Sequence, residues 1–177
     1  GGALMALLTN TAQSSTAISD SSEHIHPSVS GMSCKLPAAL CTISMLDRAT
    51  MAACNLVTEV PTSRWDVQES TSSRARHGAF VDGSEIFDHI QFGSSPAEAT
   101  AMDPQQRLVL ENGYIALHRA GWTKAVLLGS NVGVAVGIYA IEFSQVVTHS
   151  PTLFSSVYAS TSASLSIACG RVSFALG

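Results

Sequence analysis

Charge is scarce in this chain: Asp, Glu, Lys and Arg fill only 12% of 177 positions, and the net charge is −4. With 9 Lys and Arg against 13 Asp and Glu, no basic surplus exists to neutralise a phosphate backbone, which argues against a nucleic-acid partner. Long apolar runs are missing as well. No stretch approaches the roughly 20 residues that a membrane span needs. Gly1 to Leu8 is apolar but short, without a positive flank or a small-residue cleavage site, so it is not read as a signal peptide and the chain is not expected to be secreted. The first residue is Gly rather than Met, which reads as an excerpt. Cys34, Cys41, Cys54 and Cys169 are unevenly spaced and form no C-x-x-C pair, so reduced, mostly buried thiols are expected rather than disulfides.

What is present is apolar bulk. Hydrophobic residues make up 46% of the chain, enough for one domain with a sizeable core and too much for general disorder. Residues 1–27 read as a flexible leader rich in Ser, Thr and Ala, and residues 28–177 as the folded part. Glu23, His24 and His26 cluster in that leader. They lack the further ligands of a tetrahedral zinc site, and no metal is expected.

Val29 to Pro37 predicts a short strand broken by proline, and residues 38–57 a helix rich in Ala, Met and Leu. Val60 to Asp66 reads as an exposed turn. Ser95-Pro96-Ala97-Glu98 fits a capping box with Pro at the first helical position. Asp103-Pro104 signals a second helix start, with the helix running to Ala120 and stopped by Gly121. Leu110, Tyr114 and Leu117 share one face of that helix, beside Leu108 and Ile115, so it should be buried. Gly113 in its middle costs about 1 kcal/mol against Ala, which points to close packing there.

Asn131 to Tyr139 alternates bulky Val132, Val134, Val136 and Ile138 with small Gly133, Ala135 and Gly137. It predicts a buried strand with another backbone close to its small side. Its glycines fit no phosphate-binding pattern. In the tail, Ser160, Ser164 and Ala168 lie four apart on an expected helical face. Arg171 is the only charge between Tyr158 and Gly177 and should have a specific partner.

Chemistry is hard to find by spacing alone. Cys169 falls towards the end of the tail helix, where the dipole disfavours a thiolate, so it reads as inert. Asp82, Glu85 and Asp88 read as solvated surface. No nucleophile elbow, H-E-x-x-H or paired carboxylates stand out.

Several ordered motifs together resemble the β-ketoacyl synthase family, specifically the ketosynthase domains of modular or type I polyketide synthases. Gly31-Met32-Ser33-Cys34-Lys35-Leu36-Pro37 is similar to the family's G-M-S-C-R-L-P-G opening. Glu59-Val60-Pro61 with Arg64-Trp65-Asp66 resembles E-V-P-x-x-R-W-D, and the run from Gly78 through Phe92-Gly93 to Ala99 resembles the stretch that follows. Ala101 to Leu108 matches A-M-D-P-Q-Q-R-L, the most specific signal. Gly170-Arg171-Val172-Ser173-Phe174 to Leu176-Gly177 resembles G-R-I-S-Y-x-L-G. Three departures are visible: Ala38 replaces a Gly, residues 38–57 lack an aromatic pair, and Cys169 stands where the family has Ala.

The resemblance implies a thiolase-like layered α/β fold, of which only the first part of the N-terminal half is present. It implies an acyltransferase that condenses acyl thioesters by decarboxylative Claisen chemistry. A Cys takes the acyl chain from the phosphopantetheine of an acyl carrier protein, and two His and a Lys assist. That Cys follows the G-R-I-S-Y-x-L-G element, so no catalytic residue is expected in this chain, which alone should be inactive. No cofactor would be bound directly. Gln106 matches a position bordering the acyl pocket and is the candidate for its wall; Asp103, Pro104, Arg107 and Arg171 match structural positions. A homodimer is implied when full length, in a cytoplasmic or organellar setting. A non-catalytic homologue serving dimerisation or chain-length control is the alternative, and a self-standing interaction piece a third.

Overall fold

Ser95 and Asp103 start two successive helices by the same local chemistry. The computed structural model describes residues 3–9, 28–67 and 74–177. In it the Ser95 hydroxyl accepts from Glu98 N at 3.1 Å and opens α2, Pro96–Ala101. The Asp103 carboxylate accepts from Gln105 N at 2.7 Å and opens α3, Pro104–Arg119. Both helices carry Pro in the first turn, where its missing N–H leaves nothing unpaired. Gly121 follows α3 with φ +79°, as its stop requires.

Two strands lie against α3. β1, Ala3–Thr9, and β2, Ser28–Lys35, pair antiparallel with Ala3 opposite Lys35 and a register shift between Leu7 and Leu8. β1 falls inside the stretch read as flexible leader, and Ala3–Thr9 pairs there with β2 as a strand. Residues 10–27, with Glu23, His24 and His26, lie outside the described residues. Pro37 ends the β2 segment, and Leu36 N bonds to Leu40 O at 2.9 Å around a turn that puts Ala38 and Ala39 at φ +58° and +55°.

The helix expected over 38–57 is shorter, α1 at Ile43–Met51. Thr42 starts it by accepting from Met45 N at 3.1 Å. It ends in a left-handed residue, Ala53 at φ +47°, with Cys54 N bonded to Ala49 O. None of its residues is buried. The turn at 60–66 is exposed apart from Val60, as expected; it follows β3, Thr58–Glu59, which pairs antiparallel with β4, His77–Gly78.

Beyond α3 come α4, Lys124–Leu127; α5, Phe143–His149; α6, Pro151–Phe154; α7, Ala159–Ser162; and α8, Leu165–Leu176. Ser160 and Ser164 therefore do not share a helix with Ala168: the chain breaks at Ala163, and Ser164 is the residue before α8. The core gathers Phe92, Met102 and Leu110 with Leu127, Val172, Ala175 and Leu176. α3 is buried on two sides, through Leu108, Asn112 and Ala116 and through Gln106, Leu110 and Gly113. Ile115 and Tyr114 are exposed to 39% and 38%, so the wide apolar face expected for this helix is narrower, with small and polar residues taking the buried positions.

Asn131 to Tyr139 does not pair as a strand among the described residues. The alternation holds for Val134, Val136 and Ile138, which are half-buried, but not for Val132, which is exposed. Gly133, Ala135 and Gly137 are exposed, and a Cβ at Gly133 or Gly137 would meet nothing within 4 Å, so the backbone expected beside the small side is not there among the described residues. The pattern needed for a strand is present, and the ladder partner that would complete it is not among the described strands.

Candidate functional site

The first turn of α3 is where sequence and structure converge. Gln106 is 2% exposed, and its side-chain amide donates to the carbonyls of Ser164 at 3.0 Å and Thr161 at 3.3 Å. Three residues earlier, Asp103 N donates to Ser162 O at 3.0 Å. Together these bonds hold the turn between α7 and α8 against the start of α3, and the buried Gln106 Oε1 has no partner among the described residues. The bond partners lie 55 and 58 residues away in sequence, so no local pattern reveals them.

Asp103 is 3% exposed, and burial pushes its carboxyl above the usual aspartate range. Its bonds from Gln105 and the nearby Arg107 guanidinium work the other way. Arg107 is lowered, chiefly by burial, and its Nη1 donates to Glu85 O at 3.4 Å. The Gln105 side chain reaches Ala140 O at 2.9 Å and so pins the end of the extended stretch to α3.

Arg171 has the specific partner its isolation suggested: its guanidinium pairs with the Glu98 carboxylate of α2. This corrects the capping-box expectation in one respect. Ser95 caps as read, but Glu98 turns to Arg171 instead of reaching back to the helix start. A second cross-link, Lys35 Nζ to Glu111 Oε2 at 3.4 Å and to Gly83 O at 3.0 Å, ties β2 to α3 and was not legible beforehand. The buried Ser33 hydroxyl adds a bond to Asn112 O at 2.7 Å.

An apolar cleft of about 460 Å³ opens between α3, α8 and residues 130–136, with Gly113, Ala116, Val134, Val172 and Leu176 among its walls. Gly113 is buried and lies on the wall of this cleft. Gln106 is not on this wall.

All four cysteines are free; Cys34 is buried, Cys169 half-buried, and Cys41 and Cys54 exposed, so the expectation of mostly buried thiols fails for two. Burial, with Cys41 nearby, raises the Cys34 thiol above its ordinary value. Cys169 lies in the fifth position of α8 rather than near its end, and its thiol donates to Ser166 O at 3.3 Å. His89 and His149 engage the carbonyls of Ser94 and Gln145, both at 2.8 Å. Asp82, Glu85 and Asp88 are exposed, as expected. Among the described residues no three His, Cys, Asp or Glu gather as a metal site. No described helix is long and apolar enough to cross a membrane.

Comparison with known proteins places these features. Residues 28–177 match the family described as "Beta-ketoacyl synthase, N-terminal domain". The chain is 36% identical over 155 residues to a mycocerosic acid synthase-like polyketide synthase of Mycolicibacterium smegmatis, covering 83% of this chain and 7% of that protein. It is 37% identical over 157 residues to a highly reducing polyketide synthase of Gibberella zeae, covering 82% of this chain and 6% of that one. Among solved structures, the ketosynthase from module 6 of the bacillaene synthase of Bacillus subtilis 168 superposes with a TM-score of 0.65 at 30% identity. That match covers 82% of this chain and 23% of the ketosynthase. The architecture is thus the thiolase-like α/β fold of ketosynthases, of which the N-terminal part is present.

Proposed function

Because the chain belongs to the β-ketoacyl synthase family, whose N-terminal domain it matches over residues 28–177, we propose that it is part of an acyltransferase that extends acyl chains in polyketide biosynthesis. The observation that carries this is the α3 start: Asp103 caps the helix, and Gln106 holds the α7–α8 turn, within the stretch Ala101 to Leu108 that resembles the family's most specific motif.

The reaction would run in two halves. A thiolate attacks the carbonyl of an acyl thioester, forming an acyl-enzyme thioester and releasing the carrier thiol. A β-carboxyacyl extender then loses CO2, and its carbanion attacks the acyl-enzyme. The products are a β-ketoacyl thioester on the carrier and the free enzyme thiol. The substrates are assigned to the phosphopantetheine arm of an acyl carrier protein, with no cofactor bound directly and a homodimer as the working assembly.

None of Cys34, Cys41, Cys54 and Cys169 is assigned as the nucleophile. Burial holds Cys34 as a thiol, and the Cys169 hydrogen bond to Ser166 O uses its proton. We assign no condensation activity to residues 1–177 alone and take residues 28–177 as the domain part. Gln106 is assigned to the edge of the acyl pocket, through the turn that it holds.

The test is acyl loading of the polypeptide that contains these residues, with a simple acyl thioester and peptide mapping of the adduct. One acylated Cys outside the four present here supports the proposal, and a Gln106→Leu change should alter the preferred acyl length more than it alters thermal stability. Acylation of none leaves the non-catalytic homologue as the better account.

A further inference from the structure

We draw no further inference here: the strongest candidate, the apolar cleft between α3, α8 and the extended residues 130–136, is an unpartnered face, and nothing among the described residues shows what covers it.

Discussion

Gly31 of β2 lies directly beneath the carbonyl oxygen of Ala116 on α3, so close that a Cβ at residue 31 would overlap it. The Ala120 side chain and amide close the remaining space. The strand reaches its helix only because residue 31 has no side chain. Gly31→Ala in the ketosynthase domain should therefore lower unfolding stability by about 1–3 kcal/mol, the usual range for overpacking. Gly133→Ala, where a Cβ meets nothing within 4 Å, should change it little. Equal urea midpoints for the two variants would contradict the packing.

Ala53 and Ala38 occupy left-handed backbone, at φ +47° and +58°. An L-residue pays roughly 1–2 kcal/mol for that conformation and glycine almost nothing. Glycine also gains freedom in the unfolded chain, which offsets part of the difference. Ala53→Gly and Ala38→Gly should each raise stability by about 0.5–1 kcal/mol, read as a higher denaturant midpoint at unchanged slope.

The Glu98–Arg171 pair joins α2 to α8, with side chains 23% and 13% exposed. Removing one partner strands a largely buried charge. Arg171→Met should cost about 3 kcal/mol, and adding Glu98→Gln should recover part of it. A double-mutant cycle should return a coupling of about 1–2 kcal/mol; a coupling near zero would mean that the two charges do not sense each other.

Much of this was legible because it is local. Ser95-Pro96 and Asp103-Pro104 each place an acceptor before a residue with no N–H, and both helices start there. Family motifs added the global fold, which periodicity could not. The Asn131 to Tyr139 alternation was visible, yet a strand also requires a neighbour, and single-chain periodicity says nothing of its neighbour's location. The Gln106 bonds to Thr161 and Ser164 join segments far apart in sequence. Helix propensity over 38–57 was overridden by Thr42 at one end and the Ala53 turn at the other.

Burial raises the Asp103 carboxyl, so the folded state binds its proton more tightly than the unfolded state does. The stability this confers is complete below the ordinary value of 3.8 and is lost as pH rises through the elevated folded value. Asp103→Asn keeps a capping oxygen without the charge. Relative to the natural protein, its melting temperature should therefore rise between pH 4 and pH 7. A constant difference across that window would show that Asp103 is not desolvated.

Condensation shows itself in the mass of the carrier-bound product. The full polypeptide, acyl-loaded and given a β-carboxyacyl extender on an acyl carrier protein, should yield a β-ketoacyl carrier with release of one CO2 per turnover. A carrier that keeps its extender unchanged, with the polypeptide folded and supplied with acyl thioester, would contradict the account and leave a ketosynthase relative without condensation chemistry.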